Sequence, residues 1–337
     1  GPALGVLSDR FGRRPVLLIS LFGLASDFFI MAFATNMMWL LVGRIVNGMT
    51  SASFATANAY IADVTPPESR ARAFGRVGAA LSLGFLAGPA LGGMLASIDL
   101  RVPFYAAGVL TALNGLYGWL LLPESLPIER RTKRLDPRKL DPLGAIGAFR
   151  GNRAVVRLSL LGGLFAFAWM VGPSIFVLYG EYRYAWTPVT IGVVMVVSGG
   201  VGTLVQTLLV GPVVRKIGER GAALVGAAAA AAGYACFGAA SAGWAYLLAI
   251  PVFAAHNLFT PAVQGLLTHR VDEGEQARLQ GVVQAVQGVA SILGPILFGL
   301  VFAWSTRAGA PTNFTGAAFF AASALMLLVL GLMYKAA

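Results

Sequence analysis

The stretch Gly5-Val-Leu-Ser-Asp-Arg-Phe-Gly-Arg-Arg-Pro15 lies between an apolar start at 1–7 and a long apolar run at 16–34. Its glycines, Gly5 and Gly12, allow a tight turn, because glycine enters positive φ at little cost. Asp9 and Arg13 are spaced to pair across one helical turn. Arg10, Arg13 and Arg14 put positive charge where a membrane segment meets the cytoplasm. Any basic loop between hydrophobic helices would look like this, but the chain carries a second copy, Gly211-Pro-Val-Val-Arg-Lys-Ile-Gly-Glu-Arg-Gly221. The offset of 206 positions also carries Arg72 onto Arg278, Gly75 onto Gly281, Gly88-Pro89 onto Gly294-Pro295 and Gly93 onto Gly299. A fixed offset across such a span marks two related halves, a pattern of secondary transporters.

Composition sets the class. The 337 residues are 57% hydrophobic and only 12% charged, against roughly a quarter charged in soluble domains. An all-α membrane protein with many spans follows. The net charge of +11 sits in loops, which argues against a nucleic-acid partner. The single Cys236 excludes an internal disulfide and reads as packing.

Apolar runs of about 20 residues suit a bilayer. Numbered by the repeat, residues 1–7 form the tail of segment 2. The others fall at 16–34 (segment 3), 38–62, 73–97 and 102–122, then 154–179 (segment 7), 187–210, 221–242, 244–267, 277–304 and 314–334 (segment 12). The basic stretch 123–153 reads as a cytoplasmic linker, partly helical on the membrane surface and suited to anionic headgroups. Of the 25 Lys and Arg residues, 21 fall in alternate loops and the C-terminal tail, and only Arg101, Arg183 and Arg307 on the opposite side. The positive-inside rule places that basic side, and the C-terminus, in the cytoplasm. The repeat implies a twelve-helix parent lacking here ~50 residues, segment 1 and most of segment 2. The expected domains are an incomplete N-terminal bundle at 1–122, the linker at 123–153 and a C-terminal six-helix bundle at 154–337. Such a fragment is expected not to transport.

These residues carry a family resemblance. Gly5 to Pro15 resembles the loop between helices 2 and 3 of the major facilitator superfamily. Gly84-Phe-Leu-Ala-Gly-Pro-Ala-Leu-Gly-Gly93 resembles the helix 5 motif of its antiporter branch. Gly43-Arg-Ile-Val-Asn-Gly48, Ala59-Tyr-Ile-Ala-Asp63, Arg70-Ala-Arg72 with Phe74-Gly75, Gln206 to Arg220, and Pro261-Ala-Val-Gln-Gly265 with Val271-Asp272 are similar to tetracycline efflux pumps. The resemblance implies two pseudo-symmetric helix bundles, alternating access and proton-driven drug efflux from the bacterial inner membrane. It also implies a monomer that takes a small molecule and protons and needs no cofactor. Segment 9 has no acid and segment 8 no histidine, where pumps of this kind commonly have them.

Asp27 lies midway along segment 3. A carboxylate in hydrocarbon costs several kcal/mol and marks either a substrate or proton site or a structural ion pair. Arg44 reaches a similar depth, so the two pair directly or share a hydrated cavity; the resemblance links this arginine to proton coupling. Gly84, Gly88, Gly92 and Gly93 share a face of segment 5, and Pro89 permits a bend: close helix packing, or the conformational hinge that the resemblance implies. Asp9 and Arg13 resemble the cytoplasmic gate, with Asp63, Glu68, Arg70 and Arg72 as further members or as solvated charges. His256 and Asn257 lie mid-segment 10, with Gln264, Gln284 and Gln287 near in sequence; His256 reads as a hydrogen-bonded interhelical contact or a proton relay. Asn58, Asn114, Gln206, Tyr60 and Tyr117 are further cavity candidates. No Walker loop, metal set or catalytic constellation is present in the sequence. The expected function is proton-coupled efflux of a drug-like amphiphile, tetracycline foremost. A proton-coupled symporter of another solute and a non-transporting membrane sensor or scaffold are the alternatives.

Overall fold

The computed structural model describes residues 2–50, 54–66, 69–131, 152–271, 276–307 and 314–335, and every regular element among them is helical. The chain forms two compact units, 1–141 and 142–337.

The first unit comprises α1 (Pro2–Phe11), α2 (Arg13–Phe33), α3 (Met37–Thr50), α4 (Phe54–Val64), α5 (Arg70–Ala96), α6 (Val102–Leu121) and a 3₁₀ turn at Ile128–Arg130. Helix α2 packs on both α3 and α6. Its Phe29 and Phe22 lie over Gly108 and Gly115 of α6, where any side chain would stand in their place. The Asn36 side chain accepts hydrogen bonds from the Met38 and Trp39 amides, which starts α3.

The second unit runs α7 (Arg153–Trp169), α8 (Val171–Tyr184), α9 (Pro188–Leu204), a π-helical turn at Val205–Leu209, α10 (Val210–Ala239), α11 (Gly243–Ala254), a 3₁₀ turn at Ala255–Leu258, α12 (Phe259–Thr268), α13 (Gln276–Thr306) and α14 (Ala317–Tyr334). Asn152 and Thr187 cap α7 and α9. The Ala-rich half of α10 buries Ala222, Ala223, Ala227, Ala230 and Ala231. Its small side chains admit close neighbours: a Cβ on Gly226 would stand 2.7 Å from the Phe259 amide nitrogen. The absence of charge in this expected segment 9 thus has a packing reason. Three hydroxyls of this unit donate to carbonyls of neighbouring helices: Ser323 to Ala231 (2.8 Å), Tyr179 to Phe237 (3.0 Å) and Tyr184 to Ala240 (2.9 Å).

Among the described residues, seven helical runs are long and apolar enough to cross a membrane: Arg13–Phe33, Val102–Leu121, Arg153–Tyr184, Pro188–Ala239, Gly243–Thr268, Leu279–Thr306 and Ala317–Tyr334. Expected segment 4 is described in two pieces on either side of 51–53, which lie outside the described residues, and expected segment 5 as one helix. The first is described as α3 and α4, of 14 and 11 residues. The second, expected at 73–97, corresponds to the 27-residue helix α5, of which Ala87–Ala96 is an apolar stretch among the described residues. The connection between segments 8 and 9, expected as a loop at 211–220, is helical up to a break at Gly218, where one helix gives way to the next. Within α10 only Gly218 leaves helical geometry, at φ 72° and ψ 168°. Gly12, its counterpart, breaks the chain between α1 and α2 at φ 106° and ψ 157°. Gly5 and Gly211 are helical, so one residue per copy makes the turn. Both turning glycines occupy a region of backbone space that is essentially closed to other residues.

Candidate functional site

Asp27 is completely buried on α2. Its Oδ2 accepts a hydrogen bond from Asn47 Nδ2 at 2.9 Å and faces Arg44 Nη1 at 3.6 Å, both from α3. Asn47 follows Gly43 and Arg44 by four and three positions, so all three share one helical face. Gly43 makes the approach possible, because a Cβ there would lie 2.7 Å from Asp27 Oδ1. That Oδ1 is buried without a hydrogen-bond partner among the described residues. The Arg44 side chain is 57% exposed. The pair is therefore direct, with one partner sealed and the other open.

The α1–α2 junction is a second polar cluster. Arg13, with its side chain 13% exposed, donates from Nη1 to Ser8 Oγ (2.7 Å) and Asp9 Oδ1 (2.5 Å) and from Nε to Asp63 Oδ2 on α4 (3.4 Å). The segment after α6 closes over it. Glu124 Oε1 accepts from the backbone amides of Arg13 and Leu126 (2.9 and 3.0 Å), Glu124 Oε2 faces Arg131 at 3.6 Å, and Ser125 donates to Asp63 at 3.2 Å. Arg14 Nη2 donates to the Trp119 carbonyl at the end of α6. The described part of the expected linker, 123–131, is therefore a strap across this motif; residues 132–151 lie outside the described residues. So does Glu68. Arg70 turns to the Thr65 carbonyl instead (3.3 Å), and Arg10 is exposed, its guanidinium 5.3 Å from the Phe11 ring centroid.

The second unit contains a cavity of about 790 Å³, lined by Phe165 and Trp169 of α7, Gln206, His256, Asn257, Gln264 of α12, and Gln284, Gln287 and Ser291 of α13, among others. Irregular helix aims three of these. Gln206 sits in the π turn and His256 and Asn257 in the 3₁₀ turn, departures that interrupt helices at functional places. His256 Nδ1 meets the Phe253 carbonyl at 2.8 Å, so Nδ1 carries a proton and Nε2 is left for other contacts. Its ring stacks on Phe253 (4.2 Å between centroids) and faces Phe165 of α7 (6.2 Å). The interhelical contact of His256 is thus aromatic, and its hydrogen bond is local. Asn257 likewise donates to Ala254 at 3.0 Å.

A family model described as Major Facilitator Superfamily matches residues 1–295. The chain belongs to this superfamily. It is 38% identical over 340 residues to the class C tetracycline resistance protein of Escherichia coli, spanning 100% of this chain and 83% of that protein. It is 36% identical to the class G protein of Vibrio anguillarum, over 92% of this chain and 78% of that one. The crystal structure of the nucleoside transporter NupG shares the fold, with a TM-score of 0.80 and 16% identity over 99% of this chain and 86% of that one. So does the human organic anion transporter MFSD10, with 0.68 and 24% over 98% and 79%.

Within this superfamily member the structure joins Asp27 to Arg44; Asp9 to Arg13; and Gln206, His256, Asn257, Gln264 and Gln284 around one cavity. Asn58 and Asn114 are exposed on α4 and α6, and neither bonds to Asp27 or Arg44 among the described residues. Tyr60 is drawn to the strap, donating to the Pro123 carbonyl (3.0 Å). On α5 the helix continues through Pro89, and among the described residues a Cβ on Gly84, Gly88 or Gly92 would meet nothing within 4 Å. Two partners escaped the sequence reading. Asn47 stood inside the quoted motif three residues after Arg44, a spacing that could have revealed it. Glu124 lies 111 residues from Arg13 and had no local signal.

Proposed function

We propose that this membrane transporter is a proton-coupled efflux antiporter of amphiphilic drugs, tetracycline being the first substrate to test. Asp27 carries the reading: a wholly buried carboxylate whose partner, Arg44, is more than half exposed. Oδ2 already receives Asn47 and faces Arg44, so Oδ1 is the oxygen open to a proton. Protonation removes the charge that balances Arg44 and frees α3 from α2. Release of the proton restores the pair. A proton thereby biases two arrangements of the same helices, which antiport requires.

The cavity of the second unit suits the other half of the cycle. Drug-sized sites hold ~300–1,000 Å³ and mix apolar walls with a few polar groups. Here Phe165 and Trp169 supply the walls, and Gln206, Asn257, Gln264, Gln284 and Gln287 supply neutral donors and acceptors. In the same reading the chain makes ten crossings: α3–α4 and α5 each complete one, and Gly218 divides the 52-residue run 188–239 into two. That run would extend ~78 Å as one helix, far beyond a hydrocarbon core of ~30 Å. The basic loops and C-terminus then face the cytoplasm of a bacterial inner membrane. Arg13, Asp9 and Asp63 form the gate there, and the open glycine face of α5 is filled when access alternates.

The test is tetracycline uptake into energised everted vesicles, with the protein produced from its complete reading frame in a host without its own pumps. Gradient-dependent uptake that is lost in Asp27→Asn supports the reading. Uptake that survives Asp27→Asn removes this carboxylate from the coupling step. Absence of uptake in the wild type sends the search to other amphiphiles.

A further inference from the structure

A second, smaller pocket of about 240 Å³ in the C-terminal unit is lined by Arg153, Ala154, Arg157, Leu158, Arg220, Leu266, Arg270 and Met333. Four arginines thus line one small space, and no carboxylate is in its described lining; Asp272, Glu273 and Glu275, which follow Arg270, lie outside the described residues. All four residues are exposed, so water and salt screen their repulsion, and an anion held among them would lower it further. The acid nearest in sequence to Arg220, Glu219, is engaged elsewhere, with its Oε1 3.4 Å from His269 Nε2.

Two of the four arginines are held in place. Arg157 Nη2 donates to the Leu332 carbonyl at 2.7 Å and Arg220 Nη2 to the Tyr334 carbonyl at 2.9 Å, both at the end of α14. These bonds satisfy terminal carbonyls of that helix and fix the guanidinium planes. Arg153 and Ala154, the first residues of the 17-residue α7, are also in the lining, which puts the positive end of that helix at the pocket. Depth is the remaining observation. Arg153 begins the apolar run 153–184, Arg270 follows the run 243–268, Met333 is next to the end of the run 317–334, and Arg220 follows the break at Gly218. All the contributors stand at the ends of membrane-length helices, where phospholipid phosphates lie.

We propose that this arginine pocket binds a phosphate group, supplied by the headgroup of an anionic phospholipid, and that the bound phosphate ties α7, α10, α12 and α14 together. Bidentate arginine–phosphate pairing suits the donor set. The site is separate from the glutamine-lined cavity and stands whether or not the drug-efflux reading holds.

The experiment uses the full chain in neutral detergent. Native mass spectrometry counts bound phosphatidylglycerol against phosphatidylcholine, and thermal unfolding is followed with each lipid and with inorganic phosphate. The variant is Arg153→Gln/Arg270→Gln, which spares the two arginines that hold α14. One tightly bound phosphatidylglycerol, weakened about tenfold per arginine removed, with the unliganded unfolding midpoint unchanged, is the expected result. Stabilisation by inorganic phosphate equal to that by the lipid, and lost in the variant, would keep the pocket but assign it to a free phosphate. Equal binding of both lipids, or phosphatidylglycerol binding undiminished in the variant, overturns the proposal. If the double variant does not fold, Arg270→Gln alone is read in the same way.

Discussion

The two copies of the repeated motif make the same turn and spend it differently. Gly12 and Gly218, 206 residues apart, both take a positive φ with an extended ψ. The charges on either side are exchanged. Asp9 and Arg13 in the first copy correspond to Arg215 and Glu219 in the second. In the first copy Arg13 is enclosed by Ser8, Asp9 and Asp63, and Glu124 closes on the turn. In the second, Glu219 turns to His269, and nothing lies within 4 Å of a Cβ placed on Gly218. One further pair keeps its job: Arg14 and Arg220 each donate to a carbonyl at the end of the last helix of their own unit. The backbone turn, this cap and a contact of reversed charge, Arg13 with Asp63 and Glu219 with His269 at the same 206-residue offset, are the common inheritance, and among the described residues the enclosure by Asp9 and Glu124 belongs to the first copy.

Substitutions that act on one copy sharpen this contrast. Gly12→Ala is expected to have the largest effect, about 3 kcal/mol, because the new Cβ both strains the backbone and displaces Glu124. Gly218→Ala carries the backbone strain without the clash, about 2 kcal/mol. Equal losses, measured by unfolding in detergent, would mean that the strap does not press on the first turn. Next comes Arg13→Ala, which leaves Asp9, Asp63 and Ser8 without their shared donor; about 2 kcal/mol is expected at this partly buried site. The matching Glu219→Ala should cost about 0.5 kcal/mol or less, since its partner His269 is largely exposed. A larger loss at Glu219 than at Arg13 would reverse the asymmetry.

The helix 5 motif and its copy give the subtlest pair. A Cβ on Gly294 would stand 2.5 Å from Met170 Cβ, whereas one on Gly88 meets nothing within 4 Å among the described residues. Gly294→Ala should cost about 1–2 kcal/mol. Gly88→Ala should be neutral or stabilise by up to about 1 kcal/mol through helix propensity. Under the antiport proposal the same Gly88→Ala lowers drug uptake without lowering the unfolding midpoint. Undiminished uptake would leave the open glycine face of α5 without a part in transport.

Much of the fold was legible because membrane insertion is a local problem. A run such as 317–334 must be apolar over its whole length, and a reader of hydropathy sees it at once. The candidate site was legible where a charge stood in hydrocarbon, as Asp27 and Arg44 do. It was not legible where the helix type changes: nothing in the hydropathy around Gln206 or His256 announces a π or a 3₁₀ turn.

The sequence by itself determined the two-fold repeat, the apolar spans, the superfamily and the buried acid with its arginine. Each is written in spacing or in the cost of a charge away from water, both of which are properties of short stretches. Only the tertiary structure decided that Asn47 completes the Asp27 site, that Glu124 straps the first motif, and that four arginines between positions 153 and 270 line one pocket with Met333. Those are choices among many polar groups able to satisfy the same donors and acceptors, and packing between distant segments is what selects one.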